Sequence, residues 1–119
     1  MKLWLDDIRQ EPEGWTRCFR PEEVIELLQG GEVEEISLDY DLGLVDERGI
    51  DRNGEDVLKW IEREVVEQGS SFRLPVIRIH SANPVGRQRL ERALEAITRR
   101  ASTNGLEAQD TPNVGLPGN

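Results

Sequence analysis

The stretch EEISLDYDLG, residues 34–43, decides the fold. Ile36 and Leu38 sit in a short run of strand character that ends on two aspartates, Asp39 and Asp41. The start of the chain repeats the pattern, since KLWL (residues 2–5) stops on Asp6 and Asp7. A third apolar run, LPVIRIHS (residues 74–81), stops on His80 and Ser81. Short apolar runs bounded by polar residues read as buried strands. Three strands that all end on polar, chemically able residues point to one shared pocket.

Helical patterns fill the intervals. PEEVIELLQGG (residues 21–31) carries Pro21 at a first helical position, Glu22 and Glu23 in the first turn and Gly30 at the stop. GEDVLKWIEREVVEQG (residues 54–69) places Val57, Leu58, Ile61 and Val65 on one face. NPVGRQRLERALEAITRR (residues 83–100) has Asn83 as N-cap, Pro84 at the first position and Leu90, Ala93, Leu94 and Ile97 at helical spacing. WTRCF (residues 15–19) suits a short edge strand. Residues 42–53 read as a polar loop, and DRNGED (residues 51–56) as a helix start with Asn53 or Asp51 near the cap. The order strand, strand, helix, strand, helix, strand, helix predicts a mostly parallel sheet of about four strands with helices on its faces. Ligands of such sheets sit at the carboxyl ends of the strands. Residues 1–100 form the expected domain; 101–119, rich in Gly, Pro, Asn and Thr, read as a loosely packed tail.

The chain has 119 residues, 36% hydrophobic and 33% charged, with a formal net charge of −9. One compact domain fits that length. The acidic balance argues against duplex DNA or an anionic membrane as partner, because both attract basic surfaces. Of 15 basic residues only Lys2 and Lys59 are lysines, so local positive charge is arginine. Cys18 is the single cysteine, which excludes a disulfide framework and suits a reducing, cytoplasmic setting.

Asp6, Asp7, Asp39 and Asp41 sharing a pocket would repel one another unless protons or a cation intervene. Mg²⁺ (or Mn²⁺), a hard ion that favours oxygen ligands, is the expected cofactor; the alternative is that these are strand-end turn residues. Asp39-x-Asp41 is not a calcium loop, because the glycine position holds Leu44 and the closing glutamate position Ile50. His80, the lone histidine, either moves a proton or is a half-buried residue bonded to backbone. Ser81 has no nucleophile-elbow context. Asn83 and Arg87 open the last helix, whose N-terminus suits a phosphate, and Arg9 lies close enough in sequence to Asp7 to reach the same place. Trp60 and Trp4 read as core, and Trp15 as a residue that could line the pocket.

The set resembles the receiver domains of response regulators. LDDIR supplies the acidic pair Asp6 and Asp7, SLDYDLG the acceptor Asp39, and HSANP the Ser81-Ala82 pair. The resemblance spans roughly residues 1–100 and implies a flavodoxin/receiver-like three-layer sandwich. It also departs from receivers. RQEPEG stands where the first long helix belongs, no strand follows the last helix, and no lysine follows Lys59, which argues against a conventional phosphorelay. The combination LWLDDIR, SLDYDLG and HSANPVGR is more similar to the cyclic-phosphate processing receiver-like domains. That resemblance implies binding or processing of a cyclic phosphate, such as a 2′,3′-cyclic RNA end. It carries Asp6, Asp7, Arg9, Asp39, His80, Ser81, Asn83 and Arg87 over as site residues, with Asp41 added by position. Asp39, His80 and Ser81 take the catalytic roles, Arg9, Asn83 and Arg87 hold phosphate, and Asp6, Asp7, Asp39 and Asp41 hold metal. The expected partner is a phosphate-containing small molecule or RNA end. A degenerate, non-catalytic receiver module is the alternative, and the bare sheet edge leaves room for a protein partner or a second copy. Asp39-x-Asp41 also hints at a haloacid-dehalogenase-like phosphatase, but that family's downstream lysine is missing.

Overall fold

In a computed structural model, which describes residues 1–103, the three apolar runs lie side by side as strands. They are β1 (Lys2–Leu5), β3 (Glu35–Leu38) and β6 (Val76–Ile79). β2 (Thr16–Cys18) adds to the free side of β1 as an edge strand. All pairs are parallel and the order is β2-β1-β3-β6. This is the receiver-like α/β sheet expected from the sequence, without a strand beyond β6 among the described residues; the expected third layer is missing there, because no helix follows β1 and the three helices all lie on one face.

The register sorts the side chains into two unlike faces, because successive residues of a strand point to opposite sides. Leu3, Ile36 and Ile77 form one row and Leu5, Leu38 and Ile79 the next. Leu3, Leu5, Ile36 and Leu38 have no exposed surface. Three helices cover these rows: α1 (Pro21–Gln29), α2 (Glu55–Gln68) and α3 (Pro84–Thr103). They line up with α2 between α1 and α3. The connections β2-α1-β3 and β3-α2-β6 step the same way across the sheet, so right-handed crossovers place their helices on the same face. Val24 and Leu28, then Val57, Leu58, Ile61 and Val65, then Leu90 and Ile97, are among the residues these helices bury.

The other face carries Lys2, Trp4, Glu35, Ser37, Val76 and Arg78. Here the connection from β1 to β2, interrupted by Pro12 and Gly14, takes the place of a helix and lays Trp15 against Trp4. Their rings meet edge to face at 6.0 Å, with Lys2 over Trp15.

The helix starts follow their caps. The Glu23 carboxylate accepts the amides of Phe19 and Arg20, and Asn53 Oδ1 accepts the amide of Glu55. Asn83 Oδ1 accepts from Val85 and Gly86 at the head of α3. Two readings change. Residues 42–53 are not all loop, since β4 (Leu44–Val45) and β5 (Asp51–Arg52) pair as an antiparallel hairpin. Asp46 closes its turn by accepting the amides of Arg48 and Ile50 at 2.8 and 2.9 Å, a side-chain device that periodicity cannot reveal. α3 also runs to Thr103, three residues into the expected tail; the remainder of that reading, 104–119, lies outside the described residues. No helix among the described residues is long and apolar enough to cross a membrane.

Candidate functional site

β1, β3 and β6 run parallel, so their carboxyl ends open at one edge of the sheet, and the residues that follow them converge there. Asp6 and Asp7 follow β1, Asp39 and Asp41 follow β3, and Ala82 and Asn83 follow β6. With Ile8, Arg9 and Gly43 they line a cavity of about 380 Å³. One carboxylate oxygen from each of Asp6, Asp7 and Asp39 lies within 4.8 Å of the others, a spacing that could hold a metal ion. Asp41 lines the same cavity outside that group of three and accepts from Asn83 Nδ2 at 3.0 Å.

Asp6 is fully buried, and both of its carboxylate oxygens accept hydrogen bonds. Its Oδ1 accepts the amides of Ile8 and Arg9 at 2.8 and 2.9 Å. Its Oδ2 faces His80 Nε2 at 3.0 Å and Arg9 Nη1 at 3.4 Å. Burial alone would raise the Asp6 carboxyl, but these donors outweigh it and hold the group below its ordinary value, hence ionised. Asp39 goes the other way. Burial, then the Asp6 charge, push it up, against the Tyr40 amide that Oδ1 accepts at 2.8 Å and the more distant Arg9. Two buried carboxylates with opposite shifts share one pocket, a pattern that marks a candidate functional site. Burial also lowers the His80 imidazole below its ordinary value, in spite of the Asp6 carboxylate beside it.

The expected site residues divide into two sets. Asp6, Asp7, Arg9, Asp39, Asp41 and Asn83 come together around the cavity. His80, Ser81 and Arg87 are not among its lining residues. His80 stands behind Asp6, bonded through both ring nitrogens and stacked on Trp4 at 3.8 Å with an interplanar angle of 2°. Ser81 is buried and accepts the Asn83 amide at 3.2 Å, bracing the turn into α3. Arg87 runs along its helix to Glu91 at 3.2 Å. Arg9 reaches inward, with Nη1 also donating to the His80 carbonyl at 3.2 Å.

Two of the three tryptophan readings need correction. Trp60 packs on the core against Phe72, but Trp4 is a half-buried plate under His80, and its indole N–H donates to the Arg9 carbonyl at 3.0 Å. Trp15 backs Trp4 and does not line the cavity.

Sequence reasoning missed Ser37, whose hydroxyl lies 2.7 Å from His80 Nδ1. The signal was present: Ser37 and Asp39 are two apart, so both point to the Trp4 side of β3. It also missed Gly54 and Gly86, where chains approach too closely for a side chain.

No curated protein and no solved structure matches the chain. Residues 1–96 match the family described as the Cyclic-phosphate processing Receiver domain, and the chain belongs to that family.

Proposed function

We propose that the cavity binds a divalent cation, Mg²⁺ or Mn²⁺, together with a phosphate ester, and opens a cyclic phosphate such as the 2′,3′-cyclic end of an RNA. The observation that carries the reading is the convergence of Asp6, Asp7 and Asp39 on one point, with Arg9 and Asn83 lining the same cavity. The donor set is three hard carboxylate oxygens, two from buried residues, and it fits Mg²⁺ or Mn²⁺ better than a soft metal. Asp6, Asp7 and Asp39 would hold the cation, which supplies charge neutralisation at the phosphate. Arg9 supplies the guanidinium for the phosphate oxygens, and Asn83 the side-chain amide hydrogen that Asp41 does not hold. Opening adds one water. A new P–O bond forms from water, one ring P–O bond breaks, and the freed ribose oxygen takes a proton, leaving a phosphomonoester.

A second reading is binding without turnover. Both nitrogens of His80 are occupied within the protein, so the cavity has no free imidazole to move a proton. One experiment separates the two. A short RNA with a 2′,3′-cyclic end is incubated with the protein with and without Mg²⁺ or Mn²⁺, and its mass is read beside an Asp39→Asn control. Metal-dependent gain of one water, reduced at least a hundredfold in the control, is the expected result. An unchanged mass together with saturable binding would establish the binding module.

A further inference from the structure

His80 is the one histidine of the chain, and both sides of its ring are committed. Nε2 lies 3.0 Å from the Asp6 carboxylate and Nδ1 lies 2.7 Å from the Ser37 hydroxyl. Two lone pairs at 3.0 Å repel, so the nitrogen facing the ionised carboxylate must carry the hydrogen. In a neutral ring Nδ1 is then a bare acceptor in a part-buried setting, and it needs a donor. Ser37 is that donor. Its residue is 3% exposed, fixed on β3 between Trp4 of β1 and Arg78 of β6. The stack on Trp4 holds the plane of the ring.

We propose that Ser37 is a positioning residue: by donating to Nδ1 it holds His80 in the Nε2–H tautomer, which in turn fixes Asp6 Oδ2 where Asp6, Asp7 and Asp39 converge. Asp6 Oδ1 is already held by two amides. Oδ2 has only the imidazole and a longer contact to the half-exposed Arg9 side chain. The ring is therefore the better anchor, and the Ser37 hydroxyl meets the nitrogen that the carboxylate leaves without a hydrogen, so that the ring stays turned to Asp6. Despite the Ser-His-Asp order, Ser37 is no nucleophile, because it is buried and outside the residues that line the cavity.

The effect on cation affinity rests on the function proposed above; the tautomer does not. The single histidine gives one pair of ring nitrogen signals in the full-length protein labelled with ¹⁵N-histidine. At mildly alkaline pH, wild type is expected to show a protonated Nε2, slow to exchange with water, and an unprotonated, hydrogen-bonded Nδ1. Ser37→Ala should shift the Nδ1 signal, speed exchange of the Nε2 hydrogen and raise the Mn²⁺ dissociation constant about tenfold. Ser37→Thr, which keeps the hydroxyl, should restore all three. A hydrogen on Nδ1 in wild type, or a Ser37→Ala protein with unchanged ring signals, overturns the proposal. If wild type does not bind Mn²⁺, the cation reading falls, and the nitrogen signals still decide the role of Ser37.

Discussion

Asp39 carries the electrostatic tension of the site. It is 7% exposed, close to an ionised Asp6, and has one backbone donor to offset them. Its folded carboxyl titrates above the ordinary aspartate value of 3.8, so the acid form is the one the fold favours. Such a group contributes fully below its unfolded value, and the contribution is lost as pH rises through the folded one. Asp39→Asn keeps an oxygen for the Tyr40 amide and removes the charge. At neutral pH and without divalent ions it should therefore be more stable than wild type by about 1 kcal/mol, a few degrees in Tm for a domain of this size. The gap should close as the pH is lowered past 3.8, and Mg²⁺ or Mn²⁺ should narrow it at neutral pH by stabilising wild type alone. Thermal melts across pH check this, and a gap that does not vary with pH refutes it. Residues of this kind are legible in sequence, because an Asp that ends an apolar run is a local pattern. The place of His80 is not. Its two partners lie 74 and 43 residues away, and which nitrogen meets which partner depends on the register of three strands.

At the scale of elements, the site depends on how closely α2 and α3 approach the segment after β3. Gly54, just ahead of α2, donates its amide to the Tyr40 carbonyl at 3.1 Å, and a Cβ there would stand 2.1 Å from the Asp39 carbonyl oxygen. Gly86, in the first turn of α3, is pressed on the Tyr40 ring, with atoms 2.5 Å from a Cβ. The two collisions are unequal, since the first is the closer and strikes backbone, whereas the second meets the root of the Tyr40 side chain, its Cβ at 2.7 Å and Cγ at 2.5 Å. Gly54→Ala should cost about 2–3 kcal/mol and weaken Mn²⁺ binding, and Gly86→Ala should cost less. Urea unfolding of the two variants measures the order, and equal costs would mean the Asp39 backbone is freely adjustable. The helices themselves were readable from Pro21, Asn83 and Pro84 and from apolar spacing. The hairpin Leu44–Arg52 was not, because two-residue strands leave no periodicity and Asp46 acts through its side chain. The role of the glycines was hidden too, since a sequence shows Gly54 as a helix start and not as a seat for the backbone of Asp39.

Across the whole molecule the sheet is lopsided. One face holds the leucine and isoleucine rows under three helices; the other is a polar and aromatic surface on which Trp15 is laid over Trp4. The alternation that gives this asymmetry is visible in KLWL and EISL, but which face a helix would cover was not, because that follows from crossover direction. The helical face should hold most of the stability. Truncating a fully buried residue of it, Leu38→Ala, is expected to cost about 3 kcal/mol. Trp15→Ala removes a partly exposed ring and should cost about 1–2 kcal/mol, mostly the edge-to-face contact and the area it covers. Its effect on the site should exceed its effect on stability. Trp15 backs the Trp4 plate, Trp4 supports the His80 ring, and His80 holds Asp6. Loosening the first member should reach the last, so Trp15→Ala is expected to red-shift the tryptophan emission and weaken Mn²⁺ binding severalfold while the fold persists. Trp15→Phe, which keeps a ring, should largely retain both. Tryptophan fluorescence with a Mn²⁺ titration on the two variants checks this, and full cation affinity in Trp15→Ala would show that the Trp4 plate holds its place without the layer above it.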